Sequence, residues 1–340
     1  MTTLVSDDVA TRLADVTAGV DARAGDLDAG QTDVRDDLRA LGAAGLFGLP
    51  DLPDTVRVIE QVSAVSLAAG FSAWAHQMAI HYLADRPDLS EALRTARRPG
   101  VTAMAAGLKH VAGLGQLPIF AGETRRGLRL NGPIRWASNV FDDALIVLPA
   151  RTAAGRLYVV AVDVSAVGVV IDPPPALMAL GSTGSTSLRL EEVEVHADRI
   201  VSADLTGFVR GIKPTFLLLQ TAFCVGVTGA ALTAAGRATD GLAAQFDGDL
   251  ADLVSQAERN RRRLYEFATA PGEADVAEVI RLRLDAANTA VGATRLESAL
   301  AGGQGYRAGT AANRRFREAA FLPVQSPSEG QLRWELKQYG

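Results

Sequence analysis

The chain has one cysteine, Cys224, only four histidines in 340 residues, and an aromatic content of 6%. A lone thiol excludes an intramolecular disulfide framework and any cysteine-rich zinc site, and it fits a reducing, cytoplasmic setting. So few aromatics speak against a sandwich of aromatic strands. The 48% hydrophobic content is mostly Ala, Leu and Val and suits packed helices. There is no basic excess either: 34 Lys and Arg face 39 Asp and Glu, for a net charge of -5. A nucleic-acid partner, which wants a basic face, is not expected. The opening "MTTLVSDDVATRLADV" is acidic and has no apolar core, so no signal peptide is expected. One stretch lacks charge altogether, Pro214 to Gly236, and its length would cross a bilayer. Gln220, several threonines and three glycines dilute it. It reads as the buried central helix of a bundle, apolar all round because it is surrounded, and no membrane partner is expected.

What is present falls into three blocks. Up to about residue 100 the pattern is helical, as in "DDVATRLADVTAGVDARAGDL" and "TDVRDDLRALGAAGLFGLP", with one long helix over "DTVRVIEQVSAVSLAAGFSAWAHQMAIHYLA". "RRPG" then breaks the pattern. Residues 101–205 carry short β-branched or alternating runs separated by turns, with "TAAGR" and "NGP" as hairpin connections. Leu188 and Leu190 alternate, then Val193 and Val195 do. The phase slip at Glu191–Glu192 predicts a β-bulge. From 206 to 340 the helices return. Helices, strands, helices is an α+β, mainly α order with a central β domain, not an alternating βαβ pattern.

Several constellations admit both a structural and a chemical reading. "AGGQGYRAG" ends a helix in adjacent glycines, which cap a helix or let a phosphate or a flavin diphosphate approach the backbone. No strand precedes it, so it is not a Rossmann fingerprint. "LNGPIRWASN" puts Trp136, Ser138 and Asn139 at a strand end, either as core or as cover for a planar cofactor. His76 and His81 are five apart on a predicted helix and so turned about 140° from each other. They cannot chelate one metal, and no other metal set is visible. The expectation is that one of them packs between helices while the other lines a pocket, and a histidine is the commonest neutral-pH base. "RNRRR" at Arg259–Arg263 reads as a solvated helix face, and Cys224 as a small buried side chain.

Taken together the motifs resemble the acyl-CoA dehydrogenase superfamily over nearly the whole chain. "LRALGAAGLFGLP" is similar to the family's Leu-x-x-x-Gly-Leu-x-Gly-Leu. "LRLNGPIRWASN" is similar to its Leu-x-Gly-x-Lys-x-Trp-[Ile/Val/Ala]-[Thr/Ser]-Asn, and "AGGQGYRAGTAANRRFREAAF" to its late Gly-Gly-x-Gly motif. "LGSTGSTSLRLEEVEV" resembles the strand pair that closes the β domain. The resemblance implies an N-terminal helical domain (1–100), a central β-barrel-like domain (101–205) and a C-terminal four-helix domain (206–340). It also implies FAD, with Trp136 over the flavin, Ser138 and Asn139 as polar contacts, and Gly302, Gly303 and Gly305 against a neighbouring subunit's FAD. A small acyl substrate and a homodimer or homotetramer go with it, as does the alternative of a hetero-oligomer with a paralogue.

The departures from the family pattern bear on chemistry. "AAGLKHVAGLGQ" stands where Thr-Glu-Pro-x-x-Gly-Ser-Asp is usual. In "AAQFDG", Phe246 remains, but Ala243 occupies the place of the arginine that anchors the diphosphate. A charge-assisted contact is lost, which leaves weaker FAD binding, FMN, or no flavin as alternatives. Dehydrogenation of an acyl thioester needs a carboxylate near the α-carbon. Counting without a gap from Arg317-Glu318-Ala319 puts Ser326 at the base and Ser328 at a flavin-contacting threonine. A three-residue insertion puts Glu329 at the base instead. The variant base site early in the apolar helix falls near Leu219–Gln220, without a carboxylate. Three functions follow: a flavin-dependent acyl-thioester dehydrogenase with Glu329 as base, a flavin monooxygenase-like relative with His76, Ser138 and Ser326 in its pocket, or a catalytically degenerate subunit that keeps the fold.

Overall fold

The computed structural model describes residues 7–238 and 241–339. Five helices come first: α1 (Asp7–Asp28), α2 (Arg35–Ala43), α3 (Leu52–Val65), α4 (Leu67–Tyr82) and α5 (Pro87–Arg94). Eight strands follow, β1 (Gly100–Thr102), β2 (Phe120–Thr124), β3 (Gly127–Ala137), β4 (Leu145–Arg151), β5 (Leu157–Asp163), β6 (Val169–Ile171), β7 (Thr186–His196) and β8 (Ile200–Ser202), with α6 (Ala105–Val111) between β1 and β2. Then come α7 (Leu205–Ala235), α8 (Asp247–Thr269), α9 (Val276–Leu300), the single turn α10 (Gly303–Tyr306), α11 (Ala311–Ala319) and α12 (Glu329–Leu336). The chain folds as two compact units, with boundaries inside α4 and α7. Among the described residues, one unit holds those up to 74, residues 177–182 and those from 214 on; the other holds 75–176 and 183–213.

The first unit is helical. α1 buries Leu13, Val20, Ala24 and Leu27, a stripe at helical spacing, while its charges stay outside. α7 extends further toward its N-terminus than the uncharged stretch alone predicts, and Pro214 lies within it. The missing N–H there costs one helical hydrogen bond. Every residue from Thr215 to Thr228 is buried, as an all-round apolar helix should be. By length and composition α7 would cross a membrane, yet 83% of its apolar window is buried within the protein. Two of its buried threonines are satisfied locally: the Thr221 and Thr228 hydroxyls donate to the carbonyls of Leu217 and Cys224, each at 2.8 Å. Phe71 and Trp74 of α4 meet Phe216, Phe223 and Phe321 in edge-to-face contacts. Residues 177–182 are held to these helices by Arg317 donating to the Met178 carbonyl and by the Val34 amide donating to Ser182.

The second unit is built on one mixed sheet in the order β6-β7-β3-β2-β4-β5-β8, with β1 parallel to β4. A single core draws on nearly every strand, including Ile119, Leu130, Ile146, Leu148, Val160 and Leu188. The expected bulge is present. Leu130 pairs with Val193 and Gly132 with Leu190, so Asn131 faces both Glu191 and Glu192, and Glu192 takes a φ of 56°. Asn131 accepts the Glu192 amide at 3.0 Å, which supports the extra residue.

The structure corrects two expectations and adds a helix. The long helix over residues 54–84 is two helices, α3 and α4, parted at Ser66, whose backbone is extended (φ -154°). "NGP" is not a hairpin turn but lies inside β3; the turn falls at Thr124–Gly127. Gly132 is needed there because its φ is +137° and a Cβ would sit 2.5 Å from the Pro118 carbonyl oxygen. "AAGLKHV" is a short helix, α6. The hairpin at "TAAGR" forms as expected between β4 and β5, closed by the Thr152 amide on the Arg156 carbonyl.

Candidate functional site

In the sheet unit, the antiparallel register of β3 and β7 sets Ala137 opposite Thr186. The residues just beyond that pair, Ser138 and Ser185, are therefore neighbours, and their hydroxyls lie 2.6 Å apart. Thr183 extends the chain at 2.7 Å from Ser185. Trp136, two residues before Ser138, is 60% exposed. An indole left this open is not core; it lies two residues along the chain from Ser138 and its row of hydroxyls. Asn139 is buried with φ 62°, donates to the Gly100 carbonyl at 3.1 Å, and receives β7's approach through its own amide on the Thr183 carbonyl. It sets the end of the ledge and faces the strand, not open space.

His76 has a structural task in the same unit, a correction to its candidacy as a pocket histidine. The ring is fully buried. Nε2 donates to the Leu93 carbonyl and Nδ1 accepts the Gly100 amide, each at 2.8 Å. Burial lowers its pKa to about 4, so the ring is neutral at pH 7. It ties α4 to β1, and both nitrogens are committed to backbone.

In the helical unit the loop between α11 and α12 holds the other candidates. Ser328 is the N-cap of α12, accepting the Gln331 amide at 3.4 Å. Glu329 is therefore the first residue of a helix, where a carboxylate is favoured, and it pairs with Arg333 one turn on at 2.7 Å. The cavity it borders with Arg283 and Leu332 has a volume of about 10 Å³, room for one water and no acyl chain. Ser326 differs: its hydroxyl is sealed from solvent and has no hydrogen-bond partner. Among the described residues no base bonds to it, so none of them activates it as a nucleophile. Its carbonyl, by contrast, accepts from two side-chain amides, Gln220 at 2.9 Å and Gln325 at 2.8 Å.

Those glutamines lead to a residue that sequence reasoning passed over. Arg283 of α9 is 1% exposed. It donates to Gln220 Oε1 at 3.3 Å, Gln325 Oε1 at 3.2 Å and the Leu322 carbonyl at 3.3 Å, and it lies over the Phe223 ring. The only sequence signal was an arginine on the apolar face of a helix. Glu318 was passed over as well, being read as part of a motif. It is buried, and desolvation pushes its pKa up to about 7 despite Arg314 and the amides of Leu67 and Ala68 nearby.

The glycine loop after α9 behaves partly as a cap. Gly302, just past the end of α9, has φ 56° and ψ -133°, a backbone conformation that glycine adopts without penalty. Gly305 packs so close to α9 that a Cβ would lie 2.2 Å from the Ser298 carbonyl oxygen. At Gly302 and Gly303 a Cβ would meet nothing within 4 Å, so the backbone there faces open space, as a phosphate cradle requires. Phe246 is half-buried at the end of a 3-10 turn that begins with Ala243. The arginines at 259–263 are a paired helix face, Arg261 with Glu60 and Arg263 with Glu278. Cys224 is buried, which raises its thiol pKa.

For a flavin, the exposed Trp136 indole and the hydroxyls of Ser138, Ser185 and Thr183 in the sheet unit are compatible groups, one planar and apolar, one polar; in the helical unit, taken by itself, the backbone at Gly302–Gly303 is open to a close approach. The position of Ala243 offers no cation to a diphosphate.

No protein-family model and no curated protein sequence matches the chain. Solved structures match over their full length. Butyryl-CoA dehydrogenase from Megasphaera elsdenii has a TM-score of 0.88 and 15% identity, covering 100% of this chain and 99% of its own. A glutaryl-coenzyme A dehydrogenase complexed with glutaryl-CoA has a TM-score of 0.88 and 18% identity, covering 99% and 96%. Dibenzothiophene monooxygenase from a Paenibacillus species has a TM-score of 0.76 and 14% identity, covering 98% and 97%. The chain thus has the acyl-CoA dehydrogenase fold, as its motifs imply.

Proposed function

We propose that the protein is a subunit of a flavin-dependent oxidoreductase of the acyl-CoA dehydrogenase type, acting on an acyl thioester or a related small acyl substrate. In this reading the chain contributes FAD-contacting surface and leaves removal of the substrate's α-proton to a group on another chain, a paralogue. The observation that carries it is the state of Glu329, which is committed to α12 and to Arg333, while Ser326 has no base to work with.

Bound FAD would supply a hydride acceptor. Trp136 would stack on its planar ring and exclude water from one face. Ser138, backed by Ser185 and Thr183, would hold the ring's polar edge through a hydroxyl already oriented by its neighbours. With no side chain in the way at Gly302 and Gly303, phosphate charge would approach the backbone closely there. With no arginine at position 243, affinity for the dinucleotide rests more heavily on these neutral contacts.

The test is anaerobic mixing of the FAD-loaded protein with acyl-CoA, followed by flavin absorbance. The chain alone is expected not to bleach; together with a partner chain of the same fold that carries a carboxylate base it bleaches, and Glu329→Gln in this chain changes that rate by less than about twofold. Bleaching by the chain alone that Glu329→Gln abolishes would return the base role to Glu329 and sink the proposal. The same lack of a positioned base favours a second reading, an oxygen-using relative similar to the monooxygenase. Substrate-dependent oxygen uptake with reduced flavin would support that one instead.

A further inference from the structure

Arg283, Gln220, Gln325 and the carbonyl of Ser326 form a closed ring of four hydrogen bonds in the helical unit. The order of atoms within it is informative. Both glutamines turn their amide oxygens to the buried guanidinium and their NH2 groups to Ser326. An amide flipped the other way would aim NH2 at a cation and oxygen at a carbonyl, two repulsions in a site of low dielectric. The charge on Arg283 therefore selects one orientation for both side chains, and that orientation supplies two donors to one carbonyl. Arg283 also binds the Leu322 carbonyl directly. The Glu329 amide closes the far side of the loop on the Pro323 carbonyl at 2.9 Å.

We propose that Arg283 is the positioning residue of the 323–328 loop: by orienting Gln220 and Gln325 it fixes the Ser326 carbonyl and holds this loop in one conformation. A buried cation whose partners are all neutral oxygens is costly to keep. What it does here is orient. The proposal does not depend on whether the protein binds flavin, and its test reads no activity.

The discriminating variant is Gln220→Glu in the full chain. A glutamate still accepts from Arg283, now as an ion pair, but it has no proton for the Ser326 carbonyl and sets an oxygen against it. Amide hydrogen exchange is followed by peptide. Exchange over residues 321–329 is expected to speed by about tenfold, with α7 and α9 unchanged. The thermal midpoint should stay within about 2 °C or rise. Arg283→Met should release the same loop and lower the midpoint, and Arg283→Lys, which keeps the cation, should restore part of the loop's protection. A merely structural arginine would tie loop exchange to global stability. Unchanged loop exchange in Gln220→Glu, or loosening spread equally through α7 and α9, overturns the proposal.

Discussion

At the scale of single residues, three positions decide how the α11–α12 loop reads. Pro327, Ser328 and Glu329 have the order of a helix start, and α12 begins there with Ser328 as its cap. A capped helix start makes Glu329 a first-turn acid, stabilised by the helix amides and by Arg333. Ser328→Ala should destabilise the protein by about 1 kcal/mol, since the cap bond is lost and the Gln331 amide is left without its acceptor. Denaturant unfolding measures it. A change near zero would mean that water caps α12 equally well. Trp136 makes a second residue-scale prediction. Of the three tryptophans it is the most exposed, at 60%, against 2% for Trp74 and 36% for Trp334. Titrated FAD should therefore quench mainly Trp136, and Trp136→Phe should remove most of that quenching. Equal quenching in the variant would take the flavin away from this ledge.

At the scale of elements, the break between α3 and α4 is the instructive case. The sequence through Ser66 is rich in helix formers, and nothing local demands a stop. The stop is held from α11. Arg314 donates to the Val65 carbonyl at 2.9 Å, at the C-terminal end of α3. Glu318, one turn along, lies by the amides of Leu67 and Ala68 at the start of α4. Cation at a C-terminus and carboxylate at an N-terminus both match the helix dipoles. Burial nonetheless raises the Glu318 pKa from 4.5 to about 7. Between those values the folded protein binds more protons than the unfolded chain. Stability therefore declines as pH rises from about 4.5 to about 7 and is flat in this group's contribution above that, a loss on the order of 3 kcal/mol. Glu318→Gln should flatten a plot of thermal midpoint against pH across that window and be the more stable form at pH 8. A wild-type profile already flat between pH 5 and 7 would refute the assignment.

At the scale of the whole molecule, the order helices, strands, helices was legible because it rests on periodicity, which each segment carries by itself. The bulge at Glu191–Glu192 was legible for the same reason: a slip in alternation has one backbone remedy. Likewise α7 could be recognised as buried from its lack of charge. The β3 passage through "NGP" was not legible. Asn-Gly is a turn signal locally, and only the approach of Pro118 explains why a glycine sits inside a strand. Of the candidate site, the Trp136–Ser138 ledge was readable as a motif. The four-membered ring around Ser326 was not, because its residues lie on three separate segments at 220, 283 and 325–326.

The sequence by itself determined the order of the helical and strand blocks, the bulge in β7 and the burial of α7. All of these follow from residue identity and spacing along one segment. Only the tertiary structure decided what the polar residues do. It made His76 a tie between α4 and β1, Glu329 the start of a helix, and Arg283 the orienting charge of a loop. Hydrogen bonds between distant segments settle such roles, and their geometry appears only once the segments are packed.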